Sequence, residues 1–310
     1  MKIRGEIRGL LDRLVSGSGG RPRQQEPLKP PEPPRIGLAL GGGFARGIAH
    51  VGVLRVLEQS QIPIHCITGV SAGSMVAAAF ASGATSDEIA MIGSSMRFAD
   101  IARWRIGRMG FAGSERMERF LRRLLKRYRF EEMSIPLGVV ATDILTGEPV
   151  DFRGSGDVFL PIRASCSYPG LFQPVPSNGR LLVDGAMSIE IPAALARALG
   201  ATHVVSVHLP MQNHAAMPRN MFQVVNRCFQ ILQSRTEDCW KQLSDVVISP
   251  DVCGVEWDAF RSAMLLVEAG ERAALEALPQ IRALVLPDVS GRRSLPAGAS
   301  TALIPGSEPA

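Results

Sequence analysis

Apolar and polar positions along the chain alternate between two rhythms. Ile36–Leu40 (IGLAL) is a short continuous apolar run, as expected for a central strand buried on both faces. Helical spacing follows from about Gly47 to Gln61, then a second strand-like run at Ile64–Thr68. A helix of small residues is predicted to end near Gly83, and Thr85 with Glu88 three positions later forms a capping-box pattern opening a helix to about Phe98. Ser114 is placed to cap a helix running to Arg129, with Met117, Phe120, Leu121, Leu124, Leu125 and Tyr128 on one face. Pro136–Ile144 and Val150–Arg153 read as strands joined by the turn Leu145–Glu148. Arg180–Val183 and Thr202–Val207 read as strands around a helix at Ile191–Leu199. Helical patterns fill roughly 220–243 and 260–284. Strands alternating with helices predict an α/β protein, a three-layer α/β/α sandwich with a mostly parallel central sheet.

Both ends depart from this rhythm. Met1–Val15 sets Ile3, Ile7, Leu10, Leu11 and Leu14 on a helical stripe with Lys2, Arg4, Arg8 and Arg13 mostly off it, and a Gly/Ser- then Pro-rich linker follows. The expected organisation is therefore a basic amphipathic segment and linker over 1–34, a folded domain over 35–286, and a disordered Pro/Gly/Ser/Ala-rich tail over 287–310.

Composition narrows the function classes. Of 310 residues 46% are hydrophobic but only 5% aromatic, a balance that suits helices on a parallel sheet. Five cysteines, an odd count scattered through apolar stretches, suit free thiols in a reducing compartment better than a disulfide framework. No Cys or His spacing suggests a metal, no apolar run approaches a membrane span, and no secretory signal opens the chain, so a cytoplasmic location is expected. Charge is uneven: residues 97–129 hold eleven Lys/Arg against three Asp/Glu, and residues 1–35 eight against four. Such basic zones point to an anionic surface, read as peripheral contact with the inner face of a membrane, although a charged face on residues 115–129 is also what any surface helix presents. Nucleic acid is disfavoured because the basic run lacks interleaved aromatics.

The chemistry concentrates in two turns. Gly41-Gly42-Gly43 lies between a strand and a helix, where exposed backbone amides suit an anion. It lacks the Lys-Ser/Thr of a phosphate-binding loop and the glycine order of a dinucleotide site, which leaves an oxyanion hole as the other use. The second turn, Gly69-Val70-Ser71-Ala72-Gly73, has the G-x-S-x-G pattern of a nucleophile elbow, with the required strand before and helix after. A serine hydroxyl needs a base. Among His50, His65, His203, His208 and His214, the strand-end His208 is the histidine candidate; Asp184, at a strand-to-turn junction, is the carboxylate candidate. Spacing does not choose between them.

The chain resembles the patatin-like phospholipase family, in particular its bacterial, neuropathy target esterase-like branch. The resemblance is carried by Leu38–Glu58 (LALGGGFARGIAHVGVLRVLE), Thr68–Ser74 (TGVSAGS), Val139–Val150, Ala164–Val175 (ASCSYPGLFQPV) and Val183–Ala193 (VDGAMSIEIPA), with a weaker match to about residue 286. It implies a Ser–Asp dyad of Ser71 and Asp184, the latter in an Asp-Gly-Gly/Ala motif with Gly185 and Ala186. It also implies an oxyanion hole from Gly41, Gly42, Gly43, Phe44 and Arg46, no metal or cofactor, and a phospholipid or lysophospholipid ester as substrate. One position departs from the family pattern: counted back from Arg46, the third glycine of Gly-Gly-Gly-x-Arg-Gly is Phe44. Two alternatives follow. One is an acyltransferase or hydrolase working through Ser71 and a histidine; the other, motivated by Phe44, is a catalytically weak lipid-binding regulator on the same fold.

Overall fold

A computed structural model describes residues 33–210, 217, 218, 220–253, 255 and 262–285. The predicted amphipathic segment, most of the linker and the tail lie outside the described residues, as does His214. Strand β1 (Ile36–Leu40) is buried along its whole length, with Leu38 and Leu40 in the main core and Ala39 in a second apolar cluster. Alternate residues thus enter cores on opposite faces, which is the two-sided burial expected of a central strand. After a 3-10 turn (Phe44–Ile48) come α1 (Ala49–Gln59), β2 (Ile64–Val70) and α2 (Ala72–Ala81), the last built of small side chains that let it lie close to the sheet. Next are α3 (Ser86–Ser94), the single turn α4 (Phe98–Ile101), the hairpin β3 (Arg103–Gly107) and β4 (Gly110–Gly113), and α5 (Glu115–Leu124). Strands β5 (Leu137–Asp143) and β6 (Pro149–Arg153) precede α6 (Phe159–Ser165), β7 (Val175–Ser177) and β8 (Arg180–Asp184). The chain continues through α7 (Ala193–Ala198), β9 (His203–Val207), α8 (Met221–Ser234), α9 (Glu237–Lys241), β10 (Val246–Ile248) and α10 (Ala263–Val285).

The sheet order is β10-β9-β1-β2-β5-β8-β7, with β6 paired to β5. Pairings from β10 across to β5 are parallel, and those of β5, β6, β7 and β8 are antiparallel. A mostly parallel sheet between helical layers is therefore observed as expected. The Thr85–Glu88 capping box forms, with Thr85 Oγ1 accepting from the Glu88 amide and Glu88 accepting from the Thr85 amide.

Several boundaries differ for physical reasons. The helix expected to reach Arg129 stops at Leu124; Leu125 is extended and buried, and the Lys126 amide donates to Ser82 Oγ, so docking on the body replaces further helical bonds. The helix from Thr85 breaks after Ser94, and the one expected over 220–243 is two helices separated at Arg235–Thr236. The β3–β4 hairpin went unpredicted because the alternation Arg103-Trp104-Arg105-Ile106 spans only four residues and the Gly-Phe-Ala-Gly of β4 carries no pattern to extend it.

Helices α1 and α10 touch backbone to backbone. A Cβ at Gly52 would overlap the Val267 carbonyl, and one at Gly270 the Ala49 carbonyl. Gly270→Val is expected to lower the unfolding free energy by about 2 kcal/mol or more, because rigid helix backbones must separate to admit the side chain. Chemical denaturation monitored by circular dichroism measures this loss.

Candidate active site

The sharp turn between β2 and α2 is what presents Ser71. Its backbone lies at φ 53, ψ −128, a region that non-glycine residues rarely enter and that costs roughly 1–3 kcal/mol. Neighbouring glycines make the turn possible: a Cβ on Gly69 would strike the Gly73 carbonyl, and one on Gly73 would strike the carbonyls of Leu40 and Gly41. The strained residue is clamped by its own backbone bonds. Its amide donates to Ser165 Oγ at 2.8 Å, while its carbonyl accepts from Ser74 Oγ at 2.6 Å and from the Cys166 thiol at 3.2 Å.

The Ser71 hydroxyl donates to Asp184 Oδ2 at 2.7 Å. Asp184 ends β8, and its register against Ala141 of β5 brings it over the end of β2. Its other oxygen, Oδ1, accepts from the Ala186 amide at 2.9 Å, and it is 1% exposed. Burial raises its pKa to about 7, against the opposing pull of the bonds from Ser71 and Ala186. A carboxylate with that value is balanced between accepting and releasing a proton near neutrality. Gly185 is required behind it, since a Cβ there would overlap the Val140 carbonyl.

The glycine turn stands beside the hydroxyl. A Cβ on Gly42 would lie 3.3 Å from Ser71 Cβ and 3.9 Å from its Oγ, so glycine keeps the approach to the hydroxyl open. Among the described residues, the Gly42 and Gly43 amides donate to no protein acceptor, whereas the Gly41 amide is used by Val207 O at 3.1 Å. Phe44 takes φ 51, the left-handed region its glycine counterpart would reach freely, with its ring edge-on to Tyr168 at 4.9 Å between centroids. Arg46 is 7% exposed, its Nε has no partner among the described residues, and burial lowers its pKa from the ordinary value.

Beneath the turn, His50 Nε2–H donates to Gly41 O at 2.9 Å and the ring is fully buried. Desolvation lowers its pKa to about 4, so the imidazole is neutral at physiological pH. His208 lies in the same cleft but bonds Glu190 Oε1 at 3.1 Å rather than Ser71, and Glu190 Oε2 also accepts from Trp240 at 2.9 Å. Donor atoms of Glu190, His208 and Glu237 lie within 4.8 Å of one another, but Glu190 is engaged by His208 and Trp240, and Glu237 by Lys241. The histidine and carboxylate candidates are thereby separated: only the carboxylate touches the serine.

Ser71 stands between two compartments. One is an open cleft that gathers Gly41, Gly42, Gly43, Phe44, Arg46, Asp184 and Ala186 with polar groups of α8. The other is walled by Phe44, Met75, Phe98, Met117 and Phe172. Sequence reasoning missed Ser165, Tyr168 and Glu190 as parts of the site, although all three lie inside the motif blocks. The α8 contributors Asn226, Gln230 and Gln233 carried no signal, since only folding turns that face inward.

Residues 38–197 match the patatin-like phospholipase family. An NTE family protein of Mycobacterium bovis is 36% identical over 179 residues, 57% of this chain and 49% of that protein. Lysophospholipase NTE1 of Mycosarcoma maydis is 30% identical over 227 residues, covering 71% of this chain and 12% of that one. The chain thus spans half or less of the length of these curated relatives. Among solved structures, VipD from Legionella pneumophila aligns over 81% of this chain and 67% of its own, with a TM-score of 0.49 and 13% identity.

The buried His50 and Asp184 act oppositely on stability. His50 resists the proton that the unfolded chain accepts, so its contribution is lost as pH falls from about 6.5 toward about 4. Asp184 holds its proton longer than the unfolded chain does, so its contribution is lost as pH rises from about 4 toward about 7. The melting temperature of Asp184→Asn relative to wild type should therefore climb across pH 4 to 7, and that of His50→Gln relative to wild type should drop. Thermal melts in a pH series measure both slopes.

Proposed function

The chain belongs to the patatin-like phospholipase family, and on that premise we propose that it is a serine lipid acyl hydrolase, of phospholipase or lysophospholipase type, with Ser71 as nucleophile and Asp184 as base. The observation that carries this reading is the direct 2.7 Å bond from the Ser71 hydroxyl to a buried carboxylate, with no histidine between them.

In the proposed reaction, Ser71 Oγ attacks the ester carbonyl carbon while its proton passes to Asp184 Oδ2. The developing oxyanion accepts from the Gly42 and Gly43 amides, which need no rearrangement to donate. Collapse breaks the ester C–O bond, and the proton on Asp184 passes to the leaving alkoxide, leaving Ser71 acylated. Asp184 then takes a proton from water as it attacks the acyl-enzyme, and returns it to Ser71 Oγ as the fatty acid leaves. The tight turn at Ser71 and the anchored Asp184 fix the donor and acceptor before substrate arrives.

The two compartments support a lipid ester. The apolar pocket suits an acyl chain, and the Arg46 cation lining the polar cleft suits a phosphate-bearing headgroup. Peripheral action at an anionic membrane from the cytoplasm accords with the free thiols of Cys66 and Cys166 and with the basic zones of the chain. Among the described residues no helix is long and apolar enough to cross a membrane.

Ser71→Ala and Asp184→Asn should each lower turnover of a lysophospholipid or a p-nitrophenyl ester by about 10³-fold or more, with His208→Ala staying within a few-fold of wild type. Full activity in Asp184→Asn, or its loss in His208→Ala, overturns the dyad. kcat/KM should rise about tenfold per pH unit below 7 and level off above it, because the base must be deprotonated. Labelling by a fluorophosphonate that Ser71→Ala abolishes separates a hydrolase from a folded binding protein.

A further inference from the structure

Helix α8 has its faces reversed. Asn226, Gln230 and Gln233 line the catalytic cleft. Asn226 Oδ1 accepts from the Tyr168 hydroxyl at 2.8 Å, Gln233 Nε2 donates to Ala186 O at 3.0 Å, and Phe229 stands edge-on to Tyr168. At 100° per residue, Met221, Val224, Val225, Cys228, Ile231 and Leu232 fall on the opposite side in an arc of about 120°. All six are exposed, Met221 by 72% and Leu232 by 61%. A surface helix of a globular protein normally buries its apolar stripe, whereas this one shows it to solvent.

A second exposed apolar group lies on the β3–β4 hairpin: Trp104, Met109 and Phe111. Exposed Arg103, Arg105 and Arg108 surround them, and residues 101–114 contain no carboxylate. One short loop joins the two patches. Its Tyr168 contacts α8, while its Leu171 carbonyl accepts from the Phe111 and Ala112 amides and its Gln173 amide donates to Ala112 O. The same loop lines the catalytic cavity, Tyr168 in the polar cleft and Phe172 in the apolar pocket. Phe98 of that pocket packs against both Phe172 and Trp104, so apolar contacts run from the pocket wall to the exposed hairpin.

We propose that the outward face of α8 and the β3–β4 hairpin form one docking surface for an anionic lipid bilayer, holding the catalytic cleft against the layer that supplies its substrate. This rests on the reading of the chain as a lipid acyl hydrolase. Aliphatic side chains suit the acyl boundary, Trp104 the interface, and the arginines the lipid phosphates. A second copy meeting this face would bring like-charged hairpins together without carboxylates to offset them.

The test uses the full chain carrying Ser71→Ala, so that lipid is not consumed, with vesicles of phosphatidylcholine alone or mixed with phosphatidylglycerol. Sedimentation should show binding to the anionic vesicles that falls with added salt, and falls about tenfold or more in Val224→Glu/Leu232→Glu and in Met109→Glu/Phe111→Glu. In the chain with Ser71 intact, the same pairs should keep turnover of a water-soluble short-chain ester within about twofold, which also verifies folding, while vesicle lipid hydrolysis drops about tenfold or more. Vesicle binding that is absent, or unchanged by both pairs, overturns the proposal. So does a dimer, seen by light scattering, that the glutamates dissociate without loss of vesicle binding. Absence of ester turnover in the wild-type chain would instead defeat the hydrolase reading, because vesicle binding is measured on the inert protein.

Discussion

The hydrogen bond from Ser71 to the buried Asp184 is the constraint on which the site depends, because its partners come from different parts of the sheet. Ser71 follows a strand of the parallel half, and Asp184 ends a strand of the antiparallel extension. They meet only because β5 pairs with both β2 and β8. A carboxylate so deeply buried must be compensated, and the surroundings do this locally. The Ser71 hydroxyl and Ala186 amide serve its side chain, while Ser167 O, Thr142 Oγ1 and their neighbours hold its backbone. Compensation is incomplete, which is why the group titrates near neutrality instead of staying ionised.

Close approach of backbones is the second requirement. The serine turn presses its Gly73 against the end of β1, so Ser71 and the glycine turn form a single packed unit. Strain at Ser71 is tolerated because Ser165, Ser74 and Cys166 bond its backbone groups. Phe44 carries a related strain, yet its ring contacts Tyr168 and divides the polar cleft from the apolar pocket. The departure from glycine thus builds a wall that hydrogen could not, while Gly42 remains beside the hydroxyl.

Polarity is sorted around this unit. The neutral His50 supports the turn from below without adding charge, and Arg46 lines the cleft with its Nε unbonded among the described residues. The basic helix α5 behaves as an ordinary surface helix: Met117, Phe120 and Leu121 are buried, Arg122 pairs with Glu118 and lies over Phe159. The preceding hairpin adds Arg103, Arg105 and Arg108, exposed next to the exposed aromatics.

Much of the core architecture was legible in sequence because local patterns are physically self-sufficient there. A continuous apolar run buries on both faces, Thr85 and Glu88 satisfy each other's backbone, and Gly-x-Ser-x-Gly permits a turn that larger residues would block. The α/β class, the order of the central elements and the serine turn follow from such local rules. The choice of Asp184 over His208 does not, since two residues more than a hundred positions from Ser71 compete for one contact and strand register decides it. Likewise, the spacing of α8 announces an amphipathic helix but cannot say that its polar side turns inward. That orientation is set by Tyr168 and Ala186, which offer hydrogen bonds that only the polar face can meet. Local chemistry determined which turns and helices form; the tertiary structure decided which groups share a low-dielectric cleft, because proximity and burial are properties of the assembled sheet.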